Sequence, residues 1–122
     1  MVITDGYLKE IAKAMSGESF NYATYNAFSS TLTTENIADT SLAGEYGSRL
    51  ILTTVRSDNV VTYSSTKTGA IVSTSGEAVK GLGLLSASSG GILMTETAIP
   101  TINQTNAFDV EFITQITYTR PS

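Results

Sequence analysis

Side chains that attack, ligate or shuttle protons are scarce in this sequence. It contains no histidine and no cysteine. That removes thiol nucleophiles, disulfides, Cys/His zinc sites, the commonest general base and any Ser-His-Asp triad. Carboxylates remain. Asp109 and Glu111 are two residues apart, so on a strand both fall on one face, where a pair can share a proton or bind a cation. The simpler reading is that they keep an outer face soluble and repel stray strands. Asp39 and Glu45 could ligate calcium, but the EF-hand spacing is missing, and a structural hydrogen bond or cap fits them better. Gly81-Leu82-Gly83 lacks the third glycine or the Lys-Ser/Thr ending of a phosphate loop and reads as close backbone packing. Asn103-Gln104-Thr105 matches a glycosylation sequon by pattern only. Six tyrosines (Tyr7, Tyr22, Tyr25, Tyr46, Tyr63, Tyr118) could build a sugar-binding platform, but their spread along the chain favours core and interface use. No nucleophile–base–orienter set can be assembled. The chemistry therefore points to a non-enzymatic structural or binding module without metal or cofactor.

Composition narrows the partners. The 122 residues suffice for one domain, residues 1–122, with a core that needs no staples. Apolar residues make up 41% and charged residues 15%, which argues against disorder and for a surface of Ser, Thr and Asn. Seven basic residues and a net charge of -4 leave no electrostatic footprint for nucleic acid or an anionic membrane. No apolar run is long enough to span a bilayer. Met1-Val2-Ile3-Thr4-Asp5 has neither the basic nor the apolar region of a secretory signal, so export by lysis or inside a particle is expected. The absence of cysteine leaves the redox compartment open.

The elements that would position these residues are mostly strands. Thr4 to Met15 has one helical apolar face at Leu8, Ile11, Ala12 and Met15, with Thr4 or Asp5 to cap it and Gly17 to stop it. Phe20 to Phe28 alternates and reads as a strand. Ser29 to Gly47 is a long polar connection with a helical turn near Leu42 to Tyr46, and a loop of that length is functional or packed by its own side chains. Leu50 to Arg56 and Val60 to Ser64 form a hairpin across Ser57-Asp58-Asn59. Ala70 to Val72 is a further short strand, followed by a Ser73–Gly76 loop. Glu96 to Ile99 is extended, and Pro100 should end that strand or sit at an edge. Phe108, Val110, Phe112, Thr114, Ile116 and Tyr118 make the apolar face of the last strand, which Arg120-Pro121 closes. The expected fold is mainly β: an antiparallel β-sandwich, jelly-roll-like, with one short N-terminal helix.

The centre of that fold is the hairpin from Val79 to Glu96. Leu82-Gly83-Leu84-Leu85 and Ile92-Leu93-Met94 flank a small polar tip, Ser86 to Gly91. Successive apolar residues in both arms imply that both faces are covered, and Gly90 and Gly91 can supply the positive φ of the connection.

Three segments on this framework, in order, resemble a known family. Asp39-Thr40-Ser41-Leu42-Ala43-Gly44-Glu45, with Arg49 following, is similar to the "D-T-x-L-x-x-E…R" signature of small virion proteins of tailed phages. Gly83-Leu84-Leu85-Ser86-Ala87-Ser88-Ser89-Gly90-Gly91-Ile92-Leu93 resembles their "G-L-F-(N/D)-A-x-S-G-G-T-L" hairpin. The polar turn between them and the opening Ile3-Thr4 with its helix match too. The same order of signals occurs in the particle-attachment domain of tail-collar fibre proteins. The resemblance spans most of the chain through short motifs carried by Asp39, Leu42, Glu45, Arg49, Gly83, Leu84, Gly90 and Gly91. Gly81 stands where the family usually has Glu. Glu45 and Arg49 are four apart where the family has three, so a Glu–Arg contact of the family's kind is not expected. No fibre shaft follows Ser122, so an attachment module would work without its own fibre.

The resemblance implies a non-enzymatic virion structural protein, located in the virion and assembled in the host cytoplasm. Such a protein would be a capsid decoration or cement subunit, or a head–tail or tail-fibre adaptor. Its partners would be major capsid, collar or tail proteins and further copies of itself, with no nucleic acid and no membrane. The alternative is a carbohydrate- or receptor-binding module of a host-recognition structure, marked by exposed Tyr or Phe clustered with Asp or Asn in one pocket. An enzyme would need Asp39, Glu45 and Arg49 together in a substrate-sized pocket.

Overall fold

The computed structural model describes residues 1–72 and 74–119. Ser73 and the expected Arg120-Pro121 stop lie outside them. The elements are β1 (Val2–Ile3), α1 (Asp5–Met15), β2 (Tyr25–Ser29), β3 (Glu45–Ile51), β4 (Thr53–Ser57), β5 (Val60–Lys67), β6 (Glu77–Leu85), β7 (Leu93–Gln104) and β8 (Val110–Thr117). The protein is mainly β, with two antiparallel sheets and one short helix. Five strands run in the order β1-β7-β6-β2-β3 and three in the order β4-β5-β8.

The β6–β7 hairpin holds the larger sheet together. Leu85 pairs with Leu93 and Gly83 with Glu96, while β2 pairs along the other side of β6. Gly90 and Gly91 take positive φ at the tip. From Gly81 to Leu85 every residue is buried, because the two faces of β6 meet different partners. Leu84 and Met94 join Tyr63 and Ile116 of the smaller sheet, with Tyr7 of α1. Phe28, Val79 and Leu82 join Phe112 of β8. The opposite face, at Ala27, Leu85 and Leu93, is covered by Leu32 and Leu42 of the connection between β2 and β3. That connection is thus a lid packed by its own side chains. A Cβ at Gly81 would lie 2.6 Å from Leu32, and one at Gly83 3.2 Å from Leu42, so the glycines are there for close approach.

Several elements differ from the sequence expectation. Residues 20–24 form no strand; the Asn21 backbone N–H donates to the Glu10 carboxylate at 2.8 Å instead of to a neighbouring strand. Leu50 to Arg56 is not one strand. It breaks at Leu52, where the chain leaves the larger sheet and enters the smaller. Gly69–Ile71 is a 3-10 turn, with the Gly69 N–H donating to the Asp109 carboxylate at 2.8 Å. β7 runs on through Pro100, which falls in an irregular stretch where pairing with β6 shifts between Val79↔Ile102 and Gly81↔Ala98. A proline at an irregular stretch costs no ladder bond.

The helix begins and ends as read, with Thr4 Oγ1 accepting the Tyr7 N–H and Gly17 at φ +81. Its buried face is shifted. Tyr7 and Glu10 are buried, whereas Leu8 and Met15 are exposed. Both buried polar tips find partners, so burying them carries no desolvation penalty left unmet. β8 shows the expected alternation: Phe112 and Ile116 are buried, and Glu111, Ile113, Gln115 and Thr117 face out.

Candidate functional site

Three surface features carry functional weight. The first gathers most of the singled-out residues. Glu45 opens β3, and the backbone then bulges at Gly47, φ +68, where register against β2 shifts between Asn26 and Phe28. On a regular strand residues four apart stand about 13 Å from one another. The bulge shortens that reach, so the Arg49 guanidinium grips Glu45 bidentately, Nε to Oε2 at 2.7 Å and Nη2 to Oε1 at 3.0 Å. The Glu–Arg contact that the four-residue spacing argued against therefore forms. Arg49 Nη1 also donates to the carbonyl oxygens of Ala87 and Gly90, at 2.8 and 2.7 Å. This ties the β2–β3 side of the sheet to the hairpin tip. Charge is neutralised within the pair, and the Arg49 side chain is only 10% exposed.

Leu42 and Leu84 are core residues on opposite faces of β6, and Gly83 admits Leu42. Asp39 stands apart from Glu45 and Arg49. It lines a cleft with Lys9, Lys13 and Gly91, while Glu45 and Arg49 line another with Ser88, Ser89 and Gly90. The three are not brought together. Asp109 and Glu111 are separated in role as well, the first bound to the Gly69 N–H and the second exposed on the outer face of β8. Among the described residues, no three acidic side chains are placed to hold a metal ion.

The second feature is an aromatic groove of about 290 Å³ between α1, the Phe20–Ala23 segment and the ends of β5 and β8. Tyr7, Tyr63 and Tyr118 meet there, with exposed Phe20, Tyr22 and Met15 at the rim and Asn21 and Glu10 beside them. The Tyr7 and Tyr118 hydroxyls are hydrogen-bonded to each other. Burial raises the pKa of all three phenols, and for Tyr118 the bond to Tyr7 adds to the rise. Glu10 is held below the ordinary carboxyl range, first by the Asn21 backbone N–H and then by Lys13 and the Asn21 side chain. Nothing in the local sequence announces this groove, because its walls come from positions over a hundred residues apart, and Phe20 and Tyr22 read as part of a strand that begins only at Tyr25.

The third feature is the smaller sheet. All five residues of β4 are exposed, including Val55 at 58%. β4 pairs on one side with β5, and its outer side is a sheet edge. By the register, Thr53, Val55, Val60, Thr62, Ser64, Thr66, Glu111, Ile113, Gln115 and Thr117 share one outward face with a single charge, Glu111. Ile113 is exposed in the middle of it.

No protein-family model, curated protein or solved structure matches this chain. Among the described residues, no helix is long and apolar enough to cross a membrane.

Proposed function

We propose that this chain is a non-enzymatic structural subunit of a tailed-phage particle, held among other virion proteins by protein–protein contacts through its smaller sheet. The observation that carries the proposal is β4, an edge strand exposed on both faces along its whole length. In an isolated chain such a strand buries nothing and leaves a row of backbone donors and acceptors open to another chain. The adjoining face, nearly free of charge and studded with Val55 and Ile113, has the composition of an interface core more than that of a solvated surface. The motif resemblance through Asp39, Leu42, Glu45, Arg49 and the Gly83–Leu93 hairpin supplies the particle. The neutralised Glu45–Arg49 pair and the core positions of Leu42, Gly83 and Leu84 give those motifs a folding role, leaving the contacts to the sheet edge. The test is recovery with particles. The protein should co-purify with virions at fixed stoichiometry, and Val55→Lys should fold yet fail to incorporate. Finding the chain only as a free monomer in infected cells would sink the proposal.

A second reading rests on the aromatic groove. Exposed Phe20 and Tyr22 beside Asn21 and Glu10 form the arrangement expected of a carbohydrate- or receptor-binding module, with rings to stack on a sugar and polar groups to orient it. Saturation-transfer NMR against neutral and acidic oligosaccharides tests it. Binding lost in Tyr22→Ala favours this reading, and no transfer from any of them removes it.

A further inference from the structure

The register of the smaller sheet fixes which backbone groups of β4 are open. Tyr118 donates its N–H to the Asn59 carbonyl oxygen at 2.9 Å. The two residues continue the β5–β8 register, Val60↔Thr117 and Val61↔Ile116, so they are a hydrogen-bonded pair. Hydrogen-bonded and non-hydrogen-bonded pairs alternate along an antiparallel ladder. Val61, Tyr63 and Ser65 therefore turn their N–H and C=O groups toward β8, and Val60, Thr62 and Ser64 turn theirs toward β4. Their partners on β4 are Ser57, Val55 and Thr53. The two-residue turn Asp58-Asn59, with Asp58 at φ +55, agrees, since such a turn carries a bond between the residues that flank it, here Ser57 and Val60. The N–H and C=O groups of Thr54 and Arg56 are left facing away from β5, with no described strand beyond them.

We propose that this edge pairs with β4 of a second copy of the chain, antiparallel, about a two-fold axis through Val55. This rests on the reading of β4 as the contact edge and names its occupant. In that register Thr54 meets the partner's Arg56, and Arg56 meets the partner's Thr54. Those are the residues whose groups are open, so each pair exchanges both backbone bonds and no open group of β4 is left over. The strand's single charge, Arg56, lies opposite a threonine. Its guanidinium is already turned toward the β4–β5 turn and off the axis, Nη1 donating to the Asp58 carbonyl oxygen at 2.9 Å. Val55, exposed on the outward face, gains an apolar neighbour at the axis. The two smaller sheets then run on as one.

Other registers fit less well. A slip of one residue sets open groups against closed ones. A slip of two in one direction sets Arg56 against itself, where like charges repel. In the other direction it carries Arg56 past the end of the partner's strand at Thr53. The edges of the larger sheet are blunted, β1 by having two residues and β3 by its bulge at Gly47. Two five-residue strands make a small interface, so the pair is best trapped rather than isolated.

Disulfide trapping on the full-length protein tests partner and register together. The chain has no cysteine, so a single introduced one can link only two copies. In a non-hydrogen-bonded antiparallel pair the Cβ atoms stand at the near end of about 4.5–5.5 Å, which a disulfide can span. Val55→Cys should crosslink under mild oxidation several-fold faster than Ile113→Cys, which is exposed on the same face but away from β4. Thr53→Cys and Ser57→Cys should each fail to crosslink alone, because two copies of either position stand about 13 Å apart, and should crosslink when mixed. In the unsubstituted protein, amide exchange at Thr54 and Arg56 should slow as concentration rises, while Val55, bonded to β5, stays level; this readout needs no variant to fold. The proposal is overturned if Val55→Cys is no faster than Ile113→Cys, if Thr53→Cys links to itself as readily as Val55→Cys, or if exchange at Thr54 and Arg56 is independent of concentration. Trapping is read on purified protein and incorporation on virions, so the two readings fail separately. Recovery with particles without crosslinking keeps the virion role and removes the second copy; a crosslinked pair never found in particles does the reverse.

Discussion

The Arg49 guanidinium donates to the Gly90 carbonyl oxygen at 2.7 Å, fastening an edge strand of the larger sheet to the tip of its central hairpin. The same side chain holds Glu45 on its other edge. A planar fork with five donors can serve three acceptors at once; a lysine ammonium is a single point on a flexible stem. Arg49→Lys should therefore lose about 2 kcal/mol, the range for hydrogen bonds to a charged group. Chemical denaturation reads the loss. Faster amide exchange in Ser86–Gly91, with the strands unchanged, would locate it at the tip.

Gly81 argues for a different kind of constraint. Its φ is ordinary, so the backbone would accept alanine, but the new methyl would stand 2.6 Å from the Leu32 side chain. Overpacking of this kind costs about 1–3 kcal/mol. Gly81→Ala should be destabilised by that much. Combined with Leu32→Ala, which alone costs about 2–5 kcal/mol as a cavity, it should lose clearly less than the sum of the two. Strict additivity in denaturation would mean that the lid does not press on β6.

These two glycine-and-lid contacts show what the sequence made legible. Alternation at Val110, Phe112 and Ile116 was enough to place β8 and its buried face, and the apolar runs around Ser86–Gly91 placed the central hairpin. Local pattern failed where a distant group intervened. Phe20 to Thr24 alternates like a strand, yet the Asn21 amide is taken by Glu10, and the segment joins its neighbours only at Thr24, which donates to Leu85 and accepts from Leu52. Leu50 to Arg56 is continuous in pattern but changes sheets at Leu52. Spacing alone argued against the Glu45–Arg49 contact, because the bulge at Gly47 that closes it is a property of the backbone. The groove tyrosines are a tertiary meeting, and no window of sequence contains them.

Lys67, at the end of β5, lies beyond the hairpin read from the sequence, and it is one of the most enclosed charges among the described residues. Its ammonium is 2.6 Å from Glu77 and 3.1 Å from the Tyr46 hydroxyl, and it lies 4.6 Å from the ring centres of both Phe28 and Tyr46. Removing Lys67 leaves Glu77 without its cation, and because Glu77 is 26% exposed the loss is that of a broken charged hydrogen bond, about 1–3 kcal/mol. Lys67→Met should show that loss in urea denaturation. Glu77→Gln in the same chain should recover a good part of it, since the stranded charge is gone. A double variant as unstable as the sum of the singles would mean that the pair is not coupled.

The three groove phenols make the last prediction, a dependence on alkali. Burial raises Tyr7, Tyr63 and Tyr118 above the ordinary phenol value of about 10, and the hydroxyl contact with Tyr7 raises Tyr118 further. In the unfolded chain the same groups lose their protons near that ordinary value. The folded state then binds more protons than the unfolded one above it, so stability is full below about pH 10 and falls as pH rises beyond. Ultraviolet phenolate absorbance should show three tyrosines titrating late in the native protein and all six together in denaturant. Tyr118→Phe removes one late group and the hydroxyl bond to Tyr7. It should cost about 1 kcal/mol at neutral pH and reduce the alkaline loss. Native tyrosines that all titrate at the ordinary value would mean that the groove is open to water down to its floor.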